Sequence, residues 1–129
     1  MPHKHVACAI IEIDGKILCT QRSESMSLPL KWEFPGGKIK DGESPKECLR
    51  RKLTEKLGIE VAVGQALPAT THHYPDFSVT LHPFICNIIS GEIILHEHSA
   101  IAWLPVEKLH TLDWAEADLP ILEMLAARL

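Results

Sequence analysis

Leu49, Leu53 and Leu57 recur at every fourth position among polar and charged residues, the period of a helix that buries one stripe. The ends of that stretch agree with the reading. Ser44 suits the N-cap, Pro45 the first helical position, and Glu47 completes a Ser-x-x-Glu capping box, while Gly58 supplies a stop. The remaining rows carry Lys46, Glu47, Arg50, Arg51, Lys52, Glu55 and Lys56, which by helix rules alone form a solvated charged face. Around this helix the pattern is that of strands. His5 to Ile13 is apolar and β-branched, Asp14-Gly15 is a tight-turn dipeptide, and Lys16 to Arg22 follows, so the two runs predict a hairpin. Ser23 to Lys31 is polar and contains Pro29, which predicts a loop leading into Trp32-Glu33-Phe34-Pro35-Gly36-Gly37, where two glycines permit close ligand approach.

Beyond the helix, Glu60 to Val63 and Ala66 to His73 read as short strands and Phe77 to Ile89 as a longer one. Pro83 within the long run predicts an edge position or a bulge. Gly91 turns the chain into Glu92 to Leu95, Ala100 to Leu104 gives a further strand, and Val106 to Leu109 a helical turn. From Leu119 the sequence PILEMLAARL sets Ile121, Leu122, Leu125 and Leu129 on one face of a C-terminal helix. Strands, helix, strands and helix in this order predict a mixed α/β chain, with residues 1–129 as one domain.

The composition changes this picture only at its margins. A chain of 129 residues, 46% hydrophobic and 23% charged, is long enough to bury a core. A net charge of -4 argues against holding a nucleic-acid polymer by bulk electrostatics, so a small anionic substrate would need local positive charge or a metal. The four cysteines, Cys8, Cys19, Cys48 and Cys86, show no CxxC spacing and read as reduced, buried thiols of a cytoplasmic protein. The N-terminal apolar run is too short for a membrane span and is interrupted by Glu12, so no membrane role is expected.

The stretch from Gly36 to Glu60 resembles the Nudix box of the Nudix hydrolases, G-x5-E-x7-R-E-U-x-E-E-x-G-U with U aliphatic. Gly37, Glu43, Arg51, Leu53, Glu55, Gly58 and Ile59 fall at matching positions, whereas Lys52 and Lys56 stand where the pattern has Glu. The similarity is to the MutT-like members, the CTP pyrophosphohydrolase and oxidised-nucleotide sanitising group, through Trp32 to Gly37, His73-Tyr74-Pro75-Asp76-Phe77 and the Ala115-Glu116-Ala117-Asp118-Leu119-Pro120 segment. The resemblance implies the Nudix fold, an α/β/α sandwich around a mixed β-sheet, with the box helix and a C-terminal helix. It also implies cleavage of a nucleoside triphosphate to monophosphate and pyrophosphate by a monomer or homodimer, with Mg2+ or Mn2+ as cofactor.

By the same resemblance the metal is held by Glu55, Glu97 and a backbone carbonyl near Gly36 or Gly37. Glu55, Arg51 and Glu97 are then the catalytic candidates, with Arg51 orienting a box carboxylate. Arg22 and Lys38 resemble phosphate-meeting positions, Asp118 a base-reading one, and Phe34, Tyr74 and Phe77 could face a base. Without the resemblance, Asp118 is equally an N-cap and the aromatics are core residues.

The two lysines bear on the chemistry. An ammonium about 5 Å from a dication is repelled by roughly 6 to 7 kcal/mol at an effective dielectric near 20, softened where a flexible side chain swings away. Impaired metal binding and turnover are therefore expected. The alternatives are a non-catalytic nucleotide-binding or regulatory module in which Lys52 and Lys56 grip phosphates directly, and a metal site relocated to Glu43, Glu47, Glu55 and Glu97. His96 and His98 are a weak zinc pair, set against two ordinary polar histidines.

Overall fold

Strand β1 (His3–Ile13) is the axis of the sheet, since it is apolar on both faces from Ala7 to Ile11 and pairs on both edges. The computed structural model describes residues 2–128. β1 turns at Asp14-Gly15 into β2 (Lys16–Gln21), so the hairpin forms as the sequence implies, with φ of 53° at Asp14 and 77° at Gly15. Two short strands not anticipated from the sequence follow. β3 (Trp32–Glu33) pairs with β2, and β4 (Gly36–Lys38) pairs antiparallel with β1. Helix α1 (Pro45–Leu57) comes next, then β5 (Glu60–Ala66), β6 (Thr70–His73), β7 (Ser78–Ser90) and β8 (Ala100–Leu104). A 3-10 segment at Val106–Thr111 precedes helix α2 (Leu119–Ala127).

The sheet order is β3-β2-β1-β7-β5, with β4 added to β1, β6 to β7 and β8 to β2. β1 and β7 run parallel, from His3 opposite Ser78 to Ile11 opposite Cys86, while the other pairings are antiparallel. The sheet is therefore mixed. Alternation along β1 divides the core into two layers. Ala7, Ala9 and Ile11 meet Cys48, Leu49, Leu53 and Leu57 of α1. On the other face Cys8 and Ile10 meet Trp114 and, from α2, Ile121 and Leu125. Leu129, assigned to that same helix face by the sequence, lies outside the described residues.

Both ends of α1 have the anticipated chemistry. Ser44 Oγ accepts from the Glu47 amide at 3.1 Å and the Glu47 carboxylate accepts from the Ser44 amide, also at 3.1 Å. Gly58 closes the helix at φ 70°. Two readings are corrected. Pro83 is neither at an edge nor in a bulge of its own strand: β7 is central, and Pro83 lies where its partner changes from β5, ending at Ala66 opposite Phe84, to β6, beginning at Leu81 opposite Thr70. Its missing N–H falls at this gap in the ladder, and its carbonyl accepts from Leu67. Residues 92–95 form no strand; Ile94 instead donates to the Leu57 carbonyl beyond the end of α1.

All four cysteines are free and buried. No helix among the described residues is long and apolar enough to cross a membrane.

Candidate active site at the glycine turn

β4 brings Gly36 so close to β1 that only glycine fits. A Cβ there would lie 1.9 Å from the Ala7 carbonyl oxygen, a backbone atom that cannot retreat without moving the sheet. The next residue, Gly37, faces α1, where an added Cβ would meet the Lys52 stem at 2.6 to 2.8 Å. The glycine turn is thus pressed between the central strand and the charged face of the helix.

On that face the side chains are mutually engaged. Arg51 bonds Glu43 through Nε to Oε2 at 2.7 Å and Nη2 to Oε1 at 2.9 Å, and it reaches Glu55 at 3.5 Å. Lys52 Nζ stands 3.9 Å from Glu55. Lys56 Nζ donates to the Gly36 carbonyl at 2.8 Å and lies 3.8 Å from Glu97. The softening allowed for a lysine that swings away does not apply to Lys56, which is held in place. Lys56 has only 15% of its side chain exposed, because a backbone carbonyl 20 residues earlier supplies a better partner than water. Burial pulls the Lys56 ammonium below its ordinary pKa, against the opposing charges of Glu33 and Glu97.

A cleft opens beside this turn, and its lining includes the cationic side chains of Arg22, Lys38 and Lys56 together with Phe34, Tyr74, Phe77 and Asp118. All six candidate substrate-binding residues, Arg22, Lys38, Phe34, Tyr74, Phe77 and Asp118, thus border one space; Glu55 and Glu97 stand outside its lining. Arg22 is already held, through Nη1 to Glu33 at 2.8 Å and through Nε to the Ser27 carbonyl at 2.6 Å. Lys38 is exposed. Among the aromatic lining residues, Tyr74 and Phe77 have ring centroids 5.0 Å apart, and the Tyr74 hydroxyl accepts from the Ala117 amide at 3.0 Å.

Asp118 does not cap α2. Its Oδ2 accepts from the Phe34 amide at 3.0 Å, and the carboxyl is buried. Burial pushes its pKa well up, Glu33's charge pushes further, and the Phe34 N–H only partly opposes them.

Two participants, Lys4 and Glu33, were not assigned a site role from the sequence, and His98 was weighed there only as half of a weak zinc pair. Lys4 lines the cleft with its Nζ 4.3 Å from the Phe77 ring centroid; alternation from Val6 and Cys8 puts it on that face of β1. Glu33 accepts from Arg22, and His98 Nε2 lies 3.0 Å from its other oxygen. Burial raises the Glu33 carboxyl, but the His98 bond and Arg22 together hold it below the ordinary value. No local signal pairs residues 33 and 98. The weak zinc-pair reading gains no support: His98 is buried against Glu33, while His96 is exposed.

A sequence pattern for the NUDIX domain matches residues 6–124. The chain belongs to the Nudix family. This Nudix chain is 38% identical to the CTP pyrophosphohydrolase of Escherichia coli over 95% of its own length and 90% of that protein. It is 36% identical to a putative 8-oxo-dGTP diphosphatase 2 of Mycobacterium tuberculosis over 79% of its length and 73% of that protein. Among solved structures, the MutT family Nudix hydrolase of methicillin-resistant Staphylococcus aureus shares 40% identity and a TM-score of 0.79, covering 99% of both chains.

Nudix hydrolases generally use a divalent metal. The residues of this chain do not fit one at the box. The Gly36 carbonyl is taken by Lys56, and Glu55 and Glu97 each lie within 4 Å of an ammonium. The relocated site fares no better, since Glu43 is bound by Arg51 and Glu47 by the capping box. Among the described residues no group of three or more His, Cys, Asp or Glu side chains could hold a metal ion.

Proposed function

We propose that this single Nudix domain is a MutT-like pyrophosphohydrolase in fold and substrate class, taking a nucleoside triphosphate whose turnover is impaired by Lys52 and Lys56. The cleft suits such a ligand. Phe34, Tyr74 and Phe77 offer apolar surface to a base and Asp118 a polar group, while Arg22 and Lys38 share the lining with the glycine turn and offer positive charge to phosphates. The identity to a CTP pyrophosphohydrolase supports the substrate class. The buried thiols support a reducing compartment such as the cytoplasm.

Impairment is carried by one observation, the 2.8 Å hydrogen bond from Lys56 to the Gly36 carbonyl. Pyrophosphate cleavage needs charge neutralisation on the phosphate oxygens and an activated water. Lys56 supplies positive charge but, protonated, accepts no proton from water. In this reading Arg51 holds the acidic loop against the helix, and Glu55 and Glu97 are the carboxylates left to act on a water.

The test is pyrophosphate release from CTP, dGTP and 8-oxo-dGTP with Mg2+ or Mn2+, comparing the chain with its Lys52→Glu/Lys56→Glu variant. The double variant is expected to turn over at least about a hundred-fold faster, a barrier difference of about 2.7 kcal/mol. Equal rates would refute impairment.

A further inference from the structure

Lys56 is a buried cation with capacity to spare. An ammonium has three N–H donors, and the hydrogen bond it makes among the described residues is the single one to Gly36. Its carboxylate neighbour Glu97 is at 3.8 Å, outside hydrogen-bond reach, and half exposed. The cleft it borders has an electrostatic character opposite to the chain as a whole. The protein carries a net charge of -4, yet Lys4, Arg22, Lys38 and Lys56 line this space against two carboxylates, Glu33 and Asp118. Both carboxylates are spoken for. Glu33 is bonded by Arg22 and His98, and Asp118 by the Phe34 amide.

We propose that Lys56 is the centre of a metal-independent polyphosphate site, its ammonium fixed on the Gly36 carbonyl and serving, with Lys38, as counter-ion to the phosphate chain of a nucleoside triphosphate. This inference rests on the reading of the cleft as a nucleotide site and adds how that site neutralises its ligand. A fixed ammonium loses little side-chain freedom when the phosphate arrives, because its stem is already ordered against the protein. Partial exclusion from water strengthens the attraction to a phosphate oxygen relative to an exposed lysine. Lys52 contributes differently: its stem packs against Gly37, limiting the movement of the turn that positions Gly36. The ammonium binds the polyphosphate but brings in no bond-breaking group, so what turnover remains falls to Glu55 and Glu97.

The probes are inorganic tripolyphosphate, which has no base, and CTP, titrated calorimetrically into the full chain in EDTA and again with Mg2+. Both are expected to bind in EDTA, with Mg2+ giving no tightening. Lys56→Met, which keeps a flexible stem and removes the charge, should weaken tripolyphosphate in EDTA by about ten-fold or more. Its melting midpoint should move by only a few degrees, because loss of the hydrogen bond to Gly36 opposes the gain from removing a buried charge. Lys108→Met, on the 3-10 segment away from the cleft lining, should bind as the unaltered chain does.

Binding that requires Mg2+, or that survives Lys56→Met unchanged, overturns the proposal. The two readings fail separately. If the chain does not bind in EDTA while its Lys52→Glu/Lys56→Glu variant hydrolyses CTP, the lysine site alone is overturned. If neither protein binds or hydrolyses CTP under any of these conditions, both are overturned.

Discussion

Arg51 and Glu43 are joined by two hydrogen bonds, Nε to Oε2 at 2.7 Å and Nη2 to Oε1 at 2.9 Å, across eight residues that include the start of α1. The Lys40 amide also donates to Glu43 Oε1, at 3.1 Å. One carboxylate thereby ties the loop after β4 to the second turn of the helix. Two box residues that the resemblance marks as part of a catalytic motif are here occupied in holding the loop closed.

This pairing has a pH signature. The Arg51 bonds, aided by the Lys40 amide, hold the Glu43 carboxyl at about 2, against an ordinary 4.5. A depressed folded-state pKa gives stability that is fully present above about 4.5 and lost as pH falls toward about 2. Glu43→Gln should lower the melting midpoint at pH 6, and its deficit relative to the unaltered chain should shrink steadily below pH 4.5. A midpoint series from pH 6 to pH 2 measures this; a deficit constant over that range would rule the linkage out.

The two glycines of the turn should respond differently to the same substitution. Gly36→Ala drives a Cβ into the Ala7 carbonyl and the Cys8 Cα, both backbone atoms of the central strand, and should cost about 3 kcal/mol or more. For Gly37→Ala the nearest atoms are those of the Lys52 stem, a flexible side chain rather than backbone, and the cost should be less than about 1 kcal/mol. Denaturant unfolding of the two variants and of Gly37→Ala/Lys52→Ala measures both effects. The lysine truncation should relieve the Gly37→Ala cost, giving a favourable coupling in the double-mutant cycle.

These contrasts also show which parts of the site were legible in the sequence. α1 was read correctly at both ends because its determinants, Ser44, Glu47 and Gly58, act within a few residues of the positions they cap. The hairpin at Asp14-Gly15 was legible for the same reason. Pro83 was misjudged because its tolerance depends on a change of partner strand, which is a property of the assembled sheet. The anchoring of Lys56 was not legible because its partner, the Gly36 carbonyl, comes near only when β4 packs beside α1. Asp118 sits at the helix start as an N-cap would, yet the Phe34 amide 84 residues away claims its carboxylate. His98 and Glu33 meet across 65 residues with no motif to pair them.

Asp118 gives a second pH dependence, opposite in sign to that of Glu43. Its carboxyl is raised by burial and by Glu33's charge, so the folded state binds a proton more tightly than the unfolded chain. Stability from this group is complete below the ordinary value of 3.8 and is lost as pH rises through the raised folded value. Asp118→Asn retains a carbonyl oxygen to accept the Phe34 amide but has no ionisation to suppress. The melting midpoint of Asp118→Asn minus that of the unaltered chain should become more positive as pH increases from 3.8. A difference that is flat with pH would show that the buried carboxyl titrates alike in both states.

The lysines on α1 make a prediction that needs no turnover to read. With Lys52 and Lys56 in place, millimolar Mg2+ or Mn2+ should leave the melting midpoint unchanged, since the Gly36 carbonyl is already bonded and an ammonium stands near each remaining carboxylate. Lys52→Glu/Lys56→Glu frees that carbonyl and sets three carboxylates at i, i+3 and i+4 on one helix face, a donor set suited to a hard cation. In EDTA this variant should melt below the unaltered chain, because the new carboxylates repel one another and Lys56's bond to Gly36 is lost. Adding metal at about ten times its dissociation constant should then return roughly 1.4 kcal/mol, a rise of a few degrees for a domain of this size. Thermal melts of both proteins in EDTA and in each metal decide the matter. An equal metal-induced rise in the two proteins would mean that the lysines do not stand in the cation's way, and would shift the cause of any impairment away from α1.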